Sequence, residues 1–178
     1  MKTTGVVRRI DDLGRIVIPK EIRKSLRIKD GESLEIFLDN GNIILKRYSD
    51  FDSFKTFCEM YVESICNSTL SNVLIVDRNV VIAGAGGLKK DYIDLSISSF
   101  LDKAIKDRMN LVSFDRVKVS IVDSRIDFIS YVISPIIVNG DAIGAVVVFS
   151  NDSELDVVDE RICVSSAMFL SKYVELWY

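Results

Sequence analysis

Residues 8–26 read RRIDDLGRIVIPKEIRKSL, and the fold of the front of the chain turns on how that stretch is parsed. Asp11, Asp12 and Gly14 sit between two runs rich in Val and Ile. Asp side chains bond nearby backbone in turns, and Gly reaches positive φ without a Cβ clash, so DDLG predicts a tight turn. The flanking runs, TGVVRR (residues 4–9) and RIVIP (residues 15–19), predict two short strands. Pro19 stops the second strand, and its missing N–H suits the first turn of a helix over KEIRKSL. Arg8 and Arg9 end one strand and Arg15 begins the next, so all three flank one turn. Arg23, Lys24 and Arg27 fall at i, i+1 and i+4 of the helix and share roughly one side. Ile10, Ile16, Ile18 and Ile22 are the candidates to face a core.

Working outward, GESLEIFLD and NIILKRY flank Asn40-Gly41, a strong hairpin signal. The first fifty residues therefore predict a small all-β module with one short helix. Such a unit, with no disulfide or metal, buries little apolar surface by itself. Dimerisation by strand exchange would cover its Val, Ile and Leu and close its sheet edges. Charge sets this module apart. Residues 1–50 hold 11 Lys and Arg against 8 Asp and Glu, a net of +3; residues 51–178 hold 12 against 18, a net of −6. The overall charge of −3 hides a basic front on an acidic body, the pattern of a polyanion-binding module joined to a second function.

The run TGVVRRIDDLGRIVIPKEIRKSLRIKDGESLEIFLDNGNIILKRY resembles the N-terminal DNA-binding domain of the AbrB-type transition-state regulators, almost without gaps over residues 1–48. The resemblance implies a swapped-hairpin β-barrel dimer that binds double-stranded DNA. The positions matching the family's DNA-contacting residues are Arg8, Arg9, Arg15, Arg23 and Lys24. Where relatives often carry Arg, Lys24 offers a point charge rather than a bidentate fork. Two copies of this set would make a broad basic surface, with phosphate neutralisation giving affinity and Arg at base edges adding sequence preference. Lys29 and Lys46 read as solvated surface cations. The antitoxins of toxin–antitoxin pairs share this barrel, but there the following segment is typically short and disordered. Here it is about 130 residues long with strong apolar periodicity.

Residues 51–70 predict a connector helix leading into a C-terminal domain: Phe51, Phe54, Cys58, Tyr61 and Ile65 recur at helical spacing, with Phe57 and Val62 widening the stripe. That stripe suits a helix packed on its own domain or one paired across a dimer. Residues 71–178 then predict strands over 72–77 and 80–86, a helix over 94–109, strands over 116–124, 127–138 and 142–150, and a closing helix over about 154–177. Asn139-Gly140 marks a hairpin, and Ser153 is the candidate cap of the last helix. Val158, Ile162, Phe169, Tyr173 and Leu176 line one side of that helix. The sheet is expected to be antiparallel, making the chain α+β. This order, with SPIIVNGDAIGAVVVFS (residues 134–150), resembles a GAF domain. AbrB-type regulators with such a second domain match the whole chain. GAF domains commonly bind small molecules or mediate dimers, so the resemblance implies a second self-association surface, giving a dimer or a tetramer, and an unidentified small-molecule ligand.

Several activities are disfavoured. The chain has no His, which removes the commonest general base, nucleophile partner and metal ligand. Cys58, Cys66 and Cys163 contain no CxxC pair and read as buried thiols in a reducing compartment. AGAGGLKKD (residues 83–91) lacks the spacing of a phosphate-binding loop. Phe100, Phe114, Phe128 and Tyr131 suit either a pocket or a core. No catalytic site, metal or cofactor is expected. No apolar run reaches membrane-spanning length and the start lacks a signal-peptide core, so a cytoplasmic, nucleoid-associated protein is expected. The reading that follows is a sequence-preferring DNA-binding transcriptional regulator. The alternative is a small-molecule receptor whose basic module binds a protein partner.

Overall fold

The structure is a computed structural model describing residues 5–26, 28, 30–31 and 33–176. Its chain divides into two compact units, Met1–Tyr48 and Ser49–Tyr178. Arg27 and Lys29 lie outside the described residues.

The first unit contains helix α1 (Lys20–Ser25) and an antiparallel pair, β1 (Leu34–Asp39) and β2 (Asn42–Arg47). Asn40 and Gly41 turn between them with φ of 48° and 80°, as a two-residue hairpin with the right twist requires. Residues 5–10 and 15–19 form no strand, contrary to the sequence reading. A strand exists only through its neighbour. Among the described residues, the backbone bond that links the two arms of the turn runs from Asp11 N–H to the Arg15 carbonyl at 3.1 Å. The unit's apolar side chains stay largely in solvent: Val7 is 88% and Leu38 83% exposed, and Ile10, Ile16, Ile36 and Ile43 are exposed too. Pro19 is buried, whereas Ile18 and Ile22 are only half-buried.

The second unit is a five-stranded antiparallel sheet in the order β4-β3-β7-β6-β5. Its strands are β3 (Asn72–Asp77), β4 (Val81–Ala85), β5 (Leu111–Val119), β6 (Asp127–Val138) and β7 (Asp141–Ser150). Helices α2 (Lys55–Thr69) and α4 (Val157–Glu175) pack on one face; α3 (Ser99–Asp107) and the segments around it cover the other. The unbroken run AVVVF in β7 follows from this sandwich: Val146 and Val148 enter the core under α2 and α4, while Ala145, Val147 and Phe149 enter the core under α3.

Four boundaries differ from the sequence reading. A 3-10 turn over Asp52–Phe54 precedes α2, and Phe51, Cys58, Val62 and Ile65 are buried in this unit's own core. α3 begins at Ser99 because Ser96 and Ile97 make isolated bridges to Val80 and Val122, and the Ser98 hydroxyl then caps the helix by accepting from Leu101 N–H. β5 begins at Leu111, five residues earlier than predicted, and bulges between Ser113 and Val117. α4 is capped by Asp156 rather than Ser153. Asp156 accepts from the N–H groups of Val158 and Asp159, and the Asp159 carboxylate accepts from Asp156 N–H, completing a capping box. Ser153 is committed elsewhere, bonded to Ser130 and Ser150. Cys163, Ala167, Leu170 and Val174 face the sheet; of the side read from the sequence, half-buried Ile162 and Tyr173 pack against the same core, while Val158, Phe169 and Leu176 remain exposed.

Candidate nucleic-acid interface

The predicted turn is built around Asp11. Its Oδ1 accepts from Leu13 N–H at 3.0 Å and from Arg15 N–H at 2.7 Å, and its carbonyl accepts from Gly14 N–H at 2.9 Å. Gly14 sits at φ 77°, which only Gly adopts freely. The Asp11 Oδ2 accepts from Arg15 Nε at 2.7 Å. Hydrogen bonds from the Arg15 backbone and side chain hold the Asp11 carboxyl below its ordinary value. The Arg15 guanidinium is thereby oriented through Nε while its two terminal nitrogens stay available to other acceptors. Arg8 and Arg9 are exposed on the opposite arm of the turn.

Arg23 and Lys24 form a second set in the last turn of α1, where positive charge suits the helix C-terminus. Arg23 Nη1 donates to Asp30 Oδ1 at 2.6 Å, and Lys24 is exposed. Arg8, Arg9 and Arg15 thus flank one turn, as the sequence predicts. Within one chain, no hydrogen bond or ion pair among the described residues joins that set to Arg23 and Lys24. Lys20, which opens α1 and is exposed, is a further cation that helical spacing alone does not single out, because it stands at the start of the helix rather than in its basic last turn.

In the second unit, residues 83–91 wrap Asn72 rather than form a cradle. Gly86 takes φ 107°, a Cβ there would fall 2.4 Å from Asn72 Oδ1, and that oxygen accepts from Leu88 N–H. The four aromatics do not share a pocket. Phe100 and Tyr131 meet edge to face, Phe114 packs on the opposite core, and exposed Phe128 lies beneath the Arg116 guanidinium. The thiols are free, and burial pushes Cys58 and Cys163 up to about 12. Sequence reasoning missed a polar cluster: the Tyr92 hydroxyl donates to Asp127 Oδ2 at 2.7 Å, and Arg125 pairs with Asp127 and Asp91 while lying over the Tyr92 ring. Its members come from a 3-10 turn, a loop and a strand start, so no local spacing links them. Among the described residues no group of His, Cys, Asp and Glu is placed to hold a metal ion, and no helix is long and apolar enough to cross a membrane.

Comparison with known proteins follows the two-unit division. Residues 53–175 match the family model "Stage V sporulation protein T C-terminal, transcription factor", and residues 7–52 match "Antidote-toxin recognition MazE, bacterial antitoxin". The chain is 45% identical to stage V sporulation protein T of Bacillus subtilis, over 98% of its own length and 99% of that protein. The front is 54% identical over 48 residues to the transition state regulatory protein AbrB of Bacillus subtilis, covering 27% of this chain and 50% of AbrB. The GAF domain of the nutrient sensor CodY from Clostridium difficile is similar in fold, with a TM-score of 0.51 at 16% identity, covering 87% of this chain and 94% of that domain. An AbrB-type front and a GAF-like second domain are therefore joined in one chain, and the chain belongs to the stage V sporulation protein T family of transcription factors.

Proposed function

We propose that the first unit binds double-stranded DNA as a two-fold dimer through Arg8, Arg9, Arg15, Arg23 and Lys24, in the control of sporulation genes. The observation that carries this reading is the Asp11 turn, which orients the Arg15 guanidinium and keeps it 72% exposed between Arg8 and Arg9 on one arm and α1 on the other. A rigid, exposed guanidinium reaches a phosphate or a base edge with little ordering cost. The apolar side chains left in solvent on residues 5–17 and 36–45 support the dimer, since a second copy exchanging hairpins would bury them. In the second unit, exposed Met60 of α2 and Val158, Phe169 and Leu176 of α4 support further association to a tetramer. The protein would act in the cytoplasm, on the nucleoid, with a small molecule as an additional ligand of the second domain.

Titrating salt against binding to a promoter fragment tests the reading. Affinity should fall steeply with salt concentration. Arg15→Ala should abolish most binding while the turn survives, because Asp11 Oδ1 still accepts from two backbone N–H groups. Full affinity in that variant, with the dimer intact by sedimentation, would count against this surface.

A further inference from the structure

β6 outruns its neighbour. β5 pairs with it only as far as Leu111 opposite Ile133, so Ser134–Val138 have β7 on one side and no strand on the other. Between this open edge, the α3–β5 turn and α4 lies a groove of about 450 Å³, a volume typical of small-molecule sites. An open edge ordinarily invites another strand. This one lacks the donors for a ladder. The Ile137 N–H already donates to Ser171 Oγ at 3.1 Å. Two residues back, on the same edge by strand alternation, stands Pro135, which has no N–H.

The lining says what would fit instead. Pro135, Ile137 and Met168 supply an apolar floor, and Arg108 and Lys172 stand among the polar walls. The only acidic lining residue, Glu175, bonds Lys172 at 2.7 Å, leaving the lining with a net positive charge. Arg108 meets Asp141 at 3.5 Å, and both side chains are more than half exposed, so this contact holds the guanidinium weakly. Ser134 donates its hydroxyl to Asn110 Oδ1 at 2.9 Å, which leaves the Asn110 amide –NH2 as a donor. We propose that this groove binds a small organic anion, with a carboxylate or phosphate head held by Arg108, Lys172 and Asn110 and a short apolar body on Pro135, Ile137 and Met168. This site stands independently of the DNA-binding surface.

The test is a titration of the full chain, methyl-labelled at Met and Ile, with hexanoate, butyl phosphate and hexylammonium. The Met168 and Ile137 methyl signals should shift saturably with at least one anion, the tighter anion identifying the head group, and should stay in place with hexylammonium. Arg108 ends α3 at φ 54°, so Arg108→Gly removes the cation at a position where Gly is the unstrained residue. That variant and the surface variant Lys172→Gln should each weaken binding about tenfold, the loss of one charge-assisted contact. The proposal fails if neither anion shifts Met168 saturably, if hexylammonium shifts it equally, or if both variants bind like the parent. It fails too if Met168 shifts with protein concentration alone, which would assign the groove to a second copy.

Discussion

Two Asp residues with different surroundings set the logic at the residue scale. Asp11 lies in an exposed turn and organises it, so its role is conformational; Asp127 is buried and organises the cover of a core. Tyr92 has no exposed surface, and its hydroxyl is the donor to Asp127 Oδ2, while Arg125 satisfies Oδ1. Burial, then the bond to Asp127, raise the Tyr92 phenol well above its ordinary value. Tyr92→Phe should cost about 1 to 3 kcal/mol, because it leaves a buried carboxylate oxygen without its donor. Urea unfolding that gives an unchanged midpoint would show that the ring alone holds the site. Asp11 was legible in DDLG because its bonds are local. The Tyr92–Asp127 bond was not, because 35 residues separate the partners.

At the scale of elements, the misplaced boundaries share one cause. Each lies where a distant partner claims residues that the local pattern would assign otherwise. Ser153 is a good cap in isolation, but its hydroxyl and carbonyl are taken by Ser150 and Ser130. The cap falls to Asp156, which also places negative charge at the helix N-terminus. Asp156→Ala should therefore destabilise the second unit by about 1 kcal/mol, while Ser153→Ala leaves the start of α4 in place; paired thermal melts of the two variants check the assignment. Residues 94–98 carry a helical apolar pattern, yet Ser96 and Ile97 bridge to Val80 and Val122. The hairpins escaped such errors. Asn40-Gly41 and Asn139-Gly140 turn where the sequence reading placed them, since positive φ at both positions is a property of the residues themselves.

The two units of the molecule differ in how completely each closes a core. In the second, both faces of the sheet are covered, and Cys58 and Cys163 are fully buried. Only half-buried Cys66 should react promptly with a thiol reagent at pH 8, and all three should react after unfolding. The raised thiols also fix a pH dependence. Their folded values lie above the ordinary 9.0, so their contribution to stability is complete below pH 9 and is lost as pH rises toward about 12. Denaturant midpoints that stay level over that window would overturn the assignment. The first unit closes no such core by itself, and a fragment of residues 1–50 should sediment as a dimer; a folded monomer would refute hairpin exchange. The sequence by itself determined the basic turn, both Asn-Gly hairpins, the two-module order and the family, because each rests on short-range chemistry or a continuous motif. Only the tertiary structure decided which side of α4 meets the sheet, which acid caps it, and that the β6 edge beside Arg108 and Lys172 is left open. Those outcomes depend on competition among groups far apart in the chain, and local spacing carries no record of it.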